Sequence, residues 1–283
     1  IITGLVGSEM CIRDRLYNQV FVPPELNKDE IKENLWKAFE FGSRYHEGQK
    51  RKSGEPYFNH CVEVAVTLAG WNMDYTTIMA GLLHDVVEDT NITLGDIERE
   101  FNKDLANLVD GLTKISGIEF GTRKEKQAGN FMKMLLSVAK DIRVIIIKFA
   151  DRMHNMKTIT HMPRMKQRRI AIETRDVYSP LAHRLGMASV KSKLDDLAFQ
   201  VLNKDEYDSI ASKLKTTNKQ RKKLINSYIE PISNGLEKYK MDCNIFGRSK
   251  SFYSIYGKML NRNKAFEDIY DIYAIRIIVD KIE

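Results

Sequence analysis

The chain has 283 residues, 43% hydrophobic and 29% charged, ordinary for a globular protein, and its 6 prolines and 16 glycines exclude a collagen and a Pro-rich linker. At roughly 150 residues per domain this length predicts about two domains, large enough to fold without disulfide staples. The formal charge of +7 favours an anionic partner but does not choose between nucleotide, nucleic acid and acidic protein. No apolar run approaches the ~18 residues of a membrane span, since Val144–Ile147 is cut short by Lys148. Cys11, Cys61 and Cys243 are odd in number and far apart. They build neither a disulfide framework nor a CxxC zinc pattern, so a cytoplasmic location is expected.

Ile1 to Arg15 lacks a positive region ahead of its apolar stretch and makes a poor signal peptide. Gly7 to Arg15 resembles translated adapter sequence, so residues 1–25 are expected to be a non-native or disordered leader. Asn27 and Asp29 offer helix caps ahead of Ile31, Leu35, Ala38, Phe39 and Gly42, which recur with helical period. Pro56 can open a helix carrying Val62, Val64, Ala65 and Leu68. Tyr75 to Val87 reads as one apolar helix, and Thr93 with Asp96 as a near capping box. Leu105 to Ile115, Lys126 to Ala139 and Arg143 to Ile159 continue the helical pattern. Asp195 to Tyr239 is long, polar and helical, and its basic run Lys213, Lys215, Lys219, Arg221, Lys222 and Lys223 reads as a solvated helix face.

The texture changes near Met241. Met241 to Phe246 predicts a strand, Ser251 to Leu260 a helix and Ile272 to Val279 a second β-rich run. The expected fold class is mainly α: a helical bundle followed by the start of an α/β domain. The chain stops soon after that last run, so a fragment of a longer protein is expected.

Three separate predicted helices carry metal-type ligands. His60 lies four residues after Pro56, His84 and Asp85 follow the apolar run Ile78–Leu83, and Asp151 ends the run Val144–Ala150. Two imidazoles and two carboxylates suit a borderline-hard divalent ion such as Mn²⁺, Fe²⁺ or Zn²⁺, and the lack of thiolates argues against a closed structural zinc site. Glu88, at i+4 from His84, and Asp89 next to it are candidates for moving protons to or from an attacking water. Asp151, Asn155 and Thr158 fall along one helix face, while Arg51 and Lys52 lie upstream of His60 and can hold phosphate. His46, His154, His161 and His183 are expected to be structural.

Arg51 to Tyr57, His60, Gly81 to Thr90 and Lys148 to Met156 with Thr158 together resemble the HD hydrolase domain of the RelA/SpoT homologue family. These bacterial enzymes make and destroy the alarmone (p)ppGpp. Leu108 to Ile115 and Tyr178 to Gly186 extend the resemblance, which runs from about Leu26 to the end. It implies that His60, His84, Asp85 and Asp151 hold one Mn²⁺ and that Glu88 and Asp89 activate water. Arg51, Lys52, Ser53, Asn155 and Thr158 are implied contacts to guanosine nucleotide.

Gly247 to Lys258 and Tyr270 to Arg276 resemble the opening of the family's nucleotidyltransferase-like synthetase domain. There Arg248, Lys250 and Lys258 are implied partners of ATP phosphates, and Asp271 is the implied first Mg²⁺-binding acid. The family's second metal-binding acid and guanine-stacking tyrosine are expected beyond Glu283, as are the regulatory domains that meet the ribosome.

The resulting expectation is a leader (1–25), a hydrolase domain (26–202), a helical linker (203–240) and an incomplete synthetase domain (241–283). The implied activity is Mn²⁺-dependent removal of the 3′-pyrophosphate of ppGpp or pppGpp, giving GDP or GTP. The synthetase of the full-length parent would use ATP with GTP or GDP. The rival readings are another HD-type nucleotidase and a non-catalytic alarmone sensor.

Overall fold

The computed structural model describes residues 16–113, 123–214, 218–238 and 243–279. The stretch 1–15 that holds the adapter-like piece, the end of the Leu108–Ile115 block, residues 241–242 of the first expected strand and residues 215–217 of the basic run lie outside the described residues. The chain divides into two compact units, Ile1–Met162 and Pro163–Glu283.

The first unit is helical. Helix α1 spans Lys28–Tyr45, and the side chain of its cap Asn27 accepts the backbone N–H groups of Asp29 and Glu30. Its inward stripe is the expected one, Ile31, Leu35, Ala38, Phe39 and Gly42. After a turn come α2 (Phe58–Ala69) and α3 (Tyr75–Leu83). Every residue from Thr77 to Leu83 is buried, as expected of a helix apolar on all sides. Asp74 caps α3 by accepting the N–H of Thr77 at 3.0 Å. A Cβ added at Gly81 would stand 2.6 Å from Leu68 Cδ1, so glycine permits the close approach of α2 and α3.

The helix expected over Tyr75–Val87 is interrupted. α3 ends at Leu83, Asp85 takes φ −103° and ψ −5°, and a one-turn helix α4 (Val86–Asp89) follows. The interruption matters for chemistry, because consecutive residues in an unbroken helix point about 100° apart. The i, i+4 relation expected between His84 and Glu88 therefore does not describe a continuous helical face.

Next come α5 (Leu94–Glu100), α6 (Lys103–Leu112), α7 (Arg123–Lys140) and α8 (Arg143–Lys157). The capping box at α5 is complete: Thr93 accepts the Asp96 N–H, and Asp96 accepts the Thr93 N–H. α3 packs against α1, α2, α6 and α8, which makes it the central element of the unit's core.

In the second unit, α9 (Arg164–Glu173) continues through a π-helical turn (Thr174–Tyr178) into α10 (Ser179–Arg184), then α11 (Ala188–Leu202), α12 (Lys204–Leu214) and α13 (Asn218–Lys238). The helical stretch expected over Asp195–Tyr239 holds the end of α11, α12 and α13 among the described residues. Strand β1 (Cys243–Ser249), helix α14 (Phe252–Arg262) and strand β2 (Tyr273–Val279) follow. β1 and β2 pair antiparallel, with Cys243 opposite Val279 and Ser249 opposite Tyr273. Residues 164–202, grouped by sequence with the hydrolase domain, cluster here with α14. Phe199 stacks on Tyr256 at 4.8 Å, and Ile255 and Ile269 complete that small core. Asp196 accepts the Tyr253 N–H at 2.8 Å at the start of α14, and burial pushes its carboxyl up to about 6. Among the described residues no helix is long and apolar enough to cross a membrane.

Candidate metal centre

The turn ahead of α2 is pinned by Arg51 N–H to Glu55 O and Gly54 N–H to Arg51 O, both 2.9 Å. It presents the Arg51 guanidinium to α8. One Arg51 nitrogen donates to Asn155 Oδ1 at 2.7 Å and another faces His154 Nδ1 at 3.3 Å. A guanidinium only donates, so His154 Nδ1 is an acceptor there. His154 Nδ1 also lies 2.7 Å from His60 Nδ1, which must therefore carry the proton of that pair. The lone pair of His60 is left on Nε2, and Nε2 stands 3.2 Å from Asp151 Oδ1.

His84 is fixed in the same sense by a different partner. Its Nδ1 lies 2.8 Å from the carbonyl oxygen of Gly81, which only accepts, so Nδ1 carries the proton. In the neutral ring the lone pair sits on Nε2, a buried atom without a hydrogen-bond partner among the described residues, 3.1 Å from Asp85 Oδ2. The crossed distances are 3.8 Å from His60 Nε2 to Asp85 Oδ2 and 4.0 Å from His84 Nε2 to Asp151 Oδ1.

Two imidazole lone pairs thus face two carboxylates, acceptor against acceptor. Such an arrangement is stable only with a positive species between them. Bonds of about 2.1 Å set neighbouring ligands of a divalent ion about 3.0–3.4 Å apart, which the 3.1 and 3.2 Å pairs match. The two-nitrogen, two-oxygen donor set fits a borderline-hard divalent cation.

Electrostatics agree with a cation-demanding site. Burial lowers His60 and keeps its ring neutral. Burial also opposes charge on His84, but Asp85 beside it more than offsets this and raises it well above the usual histidine value. Burial would raise both acids; His84 beside Asp85 holds it far below the carboxylate range, and the imidazoles of His60 and His84 beside Asp151 hold it low as well. Asp85 and Asp151 keep 18% and 19% of their side-chain surface exposed, against 1–2% for the histidines, so the cluster opens to solvent on its carboxylate side.

Tyr57 and His154 are parts of the centre that sequence reading missed. Tyr57 Oη donates to Asp85 Oδ2 at 2.7 Å, and burial together with Asp85 and Asp89 pushes its phenol well above the usual tyrosine value, so it stays a donor. Tyr57 precedes His60 by three residues, and His154 follows Asp151 by three, so helical spacing from the chosen ligands was the available signal. Burial, with His60 and Arg51 adding to it, pushes His154 down to about 3, which suits its acceptor role.

Residues 38–188 match the HD domain family model, and residues 247–283 match the region found in RelA / SpoT proteins. The chain belongs to the RelA/SpoT homologue family and carries its HD domain. It is 46% identical over 255 residues to the bifunctional (p)ppGpp synthase/hydrolase SpoT of Escherichia coli (strain K12), covering 90% of this chain and 36% of that protein. It is 44% identical over 275 residues to the guanosine-3′,5′-bis(diphosphate) 3′-pyrophosphohydrolase of Spiroplasma citri, covering 96% and 37%. A GTP pyrophosphokinase of Streptomyces coelicolor is 40% identical over 275 residues, covering 94% and 32%. The chain spans about a third of the length of these curated relatives.

Within this RelA/SpoT homologue, the remaining expected residues fall into three groups. Asn155 Nδ2 donates to Asp151 Oδ1 at 2.5 Å, so Asn155 links Arg51 to the centre. Asp89 lies close enough to bear on the Tyr57 hydroxyl, and half-buried Glu88 shares the one-turn α4 with it. Ser53, Lys52 and Thr158 stand differently: Ser53 donates to Glu55 at 3.3 Å, Lys52 is exposed, and Thr158 donates to the carbonyl of His154 at 3.1 Å.

In the second unit, Asp271 accepts from Lys250 Nζ at 2.5 Å and also from Lys258 Nζ. Arg248 pairs opposite Ala274 on β1 and is exposed. One carboxylate held between two ammonium groups does not by itself fit a Mg²⁺ site, which needs several oxygen ligands. The lysine pair is suited to phosphate.

Proposed function

We propose that this chain removes the 3′-pyrophosphate of (p)ppGpp, giving GDP or GTP, with Mn²⁺ held by His60, His84, Asp85 and Asp151. The observation that carries the proposal is the pair of imidazole lone pairs, each fixed by a hydrogen bond on its other nitrogen, facing two carboxylates on the open side of a buried cluster. The names of the relatives supply the substrate.

When bound, the cation supplies positive charge against phosphate and makes water acidic. The chain does the rest. Arg51 offsets the charge of the 3′-diphosphate, held in place by Asn155. Tyr57 keeps Asp85 ionised by donating to it. Glu88 and Asp89 take the proton as the oxygen of water bonds to the 3′-linked phosphorus. The bond from that phosphorus to O3′ breaks, pyrophosphate leaves, and O3′ gains a proton. Lys52, Ser53 and Thr158 line the nucleotide side.

On this reading residues 26–202 are the hydrolase domain, 203–240 a linker and 241–283 the start of a synthetase domain that works with ATP and Mg²⁺ in the longer protein, in the cytoplasm. Arg248, Lys250 and Lys258 face ATP phosphates, and Asp271 leaves its lysines for Mg²⁺ when nucleotide arrives.

The test is incubation of purified chain with ppGpp, with and without Mn²⁺, reading pyrophosphate. Mn²⁺-dependent release that disappears in Asp85→Ala supports the proposal. Turnover of deoxynucleoside triphosphates or cyclic nucleotides in its place identifies another HD nucleotidase. Tight ppGpp binding without turnover identifies a sensor.

A further inference from the structure

The four donors of the centre are not its only metal-binding groups. Cys61 follows His60 in α2 and is fully buried with a free thiol. Its Sγ, a ring nitrogen of His84 and a carboxylate oxygen of Asp85 all lie within 4.8 Å of one another. The His84 nitrogen that can bind is Nε2, since Nδ1 is committed to the Gly81 carbonyl. That Nε2 is buried, in a side chain 1% exposed, and has no hydrogen-bond partner among the described residues. His60, His84 and Asp151 form a second group within the same 4.8 Å reach. Two donor sets, one containing a thiol and one of nitrogen and oxygen alone, therefore share His84, whose Nε2 is the nitrogen left free to bind.

We propose that Cys61, His84 and Asp85 form a second, overlapping position for a thiophilic divalent cation, zinc in nature, and that filling it withdraws His84 and Asp85 from the hydrolytic centre and stops turnover. The binding half stands on the donor geometry alone; the inhibitory half rests on the hydrolytic reading above. One lone pair binds one ion, so the two positions exclude each other. Their selectivity differs in kind. Imidazole and carboxylate accept manganese, whereas a thiolate draws zinc and cadmium, and zinc also stands above manganese in intrinsic affinity for such ligands. Three protein donors of sulfur, nitrogen and oxygen with a fourth place left for water match the tetrahedral habit of zinc. The thiol proton passes to bulk water as the ion binds. Asp85, with 18% of its side chain exposed, gives the ion its entry.

The probe is cadmium, titrated into the full metal-free chain while the near-ultraviolet sulfur-to-metal charge-transfer absorption is followed. One saturating band per chain is expected. It should vanish in Cys61→Ala and in Cys61→Ser, which keep Cys11 and Cys243, and persist in His60→Ala, which lies outside the thiol set. A band that survives both cysteine substitutions, or no band at all, overturns the site and leaves Cys61 a buried small hydrophobe. Cadmium NMR on the unsubstituted chain gives the same answer without a variant: a shift for one sulfur ligand supports the site, a shift for nitrogen and oxygen alone refutes it. For the inhibitory half, the zinc concentration that halves Mn²⁺-supported pyrophosphate release should rise roughly tenfold or more in Cys61→Ala. An unchanged zinc sensitivity overturns that half. A chain that releases no pyrophosphate with Mn²⁺ refutes the hydrolytic reading, and the cadmium band still decides the thiol position.

Discussion

Adding manganese to the metal-free chain should raise the unfolding temperature of the unit Ile1–Met162, and Asp151→Asn should remove most of the rise. The cluster holds two carboxylates kept ionised and a neutral His60, and in the metal-free chain the charge that Asp85 favours on His84 offsets only one of the two, so one negative charge stays confined at the edge of the core. A divalent ion neutralises both carboxylates. At a free concentration one hundred times its dissociation constant, binding to the folded state alone stabilises by about 2.7 kcal/mol. For a unit of this length each kcal/mol moves the midpoint by about 2–4 °C, so a rise of about 5–11 °C is expected. Differential scanning calorimetry with and without chelator reads it directly. Asp151→Asn deletes one of the two charges and weakens the oxygen donor opposite His60, and its shift should fall below about 2 °C. No shift in the unsubstituted chain, or an equal shift in the variant, would refute the argument that these lone pairs await a cation.

Asn155→Ala severs the link from Arg51 to Asp151, hydrogen bonds to charged groups worth about 1.5–3 kcal/mol. Pyrophosphate release at saturating Mn²⁺ should fall about 10- to 100-fold, and a rate like that of the parent chain would sink the positioning role. Asp196 has a folded-state carboxyl raised to about 6 by burial, so the stability it contributes is full below the unfolded carboxylate value of about 3.9 and is lost as pH rises through 6. Asp196→Asn keeps an acceptor for the Tyr253 N–H without the charge. It should stabilise by up to about 3 kcal/mol at pH 7.5 and far less at pH 4.5 in guanidinium unfolding; a gap that does not widen with pH contradicts the burial argument. Gly42→Ala would place a methyl 2.5 Å from the Phe58 ring and 3.3 Å from the Leu82 carbonyl, and should cost about 1–3 kcal/mol through overpacking, read as a lower denaturant midpoint.

Much of the architecture was legible because caps and apolar periodicity are local. Asn27, Thr93 with Asp96, and Ser251 each cap the helix that their side-chain chemistry predicts. The break at His84–Asp85 was not legible, since no proline or strong stop signal stands within Tyr75–Val87; the bond from His84 to the Gly81 carbonyl and the pull of the cluster appear only in the folded chain. The convergence of His60, His84, Asp85 and Asp151 was anticipated from metal-type ligands on separate predicted helices and from the resemblance to the HD hydrolase domain, which groups them on one ion. The roles of Tyr57 and His154 were hidden for a different reason. An aromatic and a histidine on helices are ordinary core residues until their partners, Asp85 and His60, are known in space. The helical character of Asp195–Tyr239 was legible, but the division between α11 and α12 at Asn203 was not, since the polar sequence there offers no strong stop signal.

Seating His84 directly behind α3 ties the chemistry to the slowest-opening backbone of the first unit. Amides from Thr77 to Leu83 have no route to solvent short of dismantling the helices around them. Hydrogen exchange there should report global opening, and inactivation on heating should track that same event with no earlier phase in which a melted site rides on an intact scaffold.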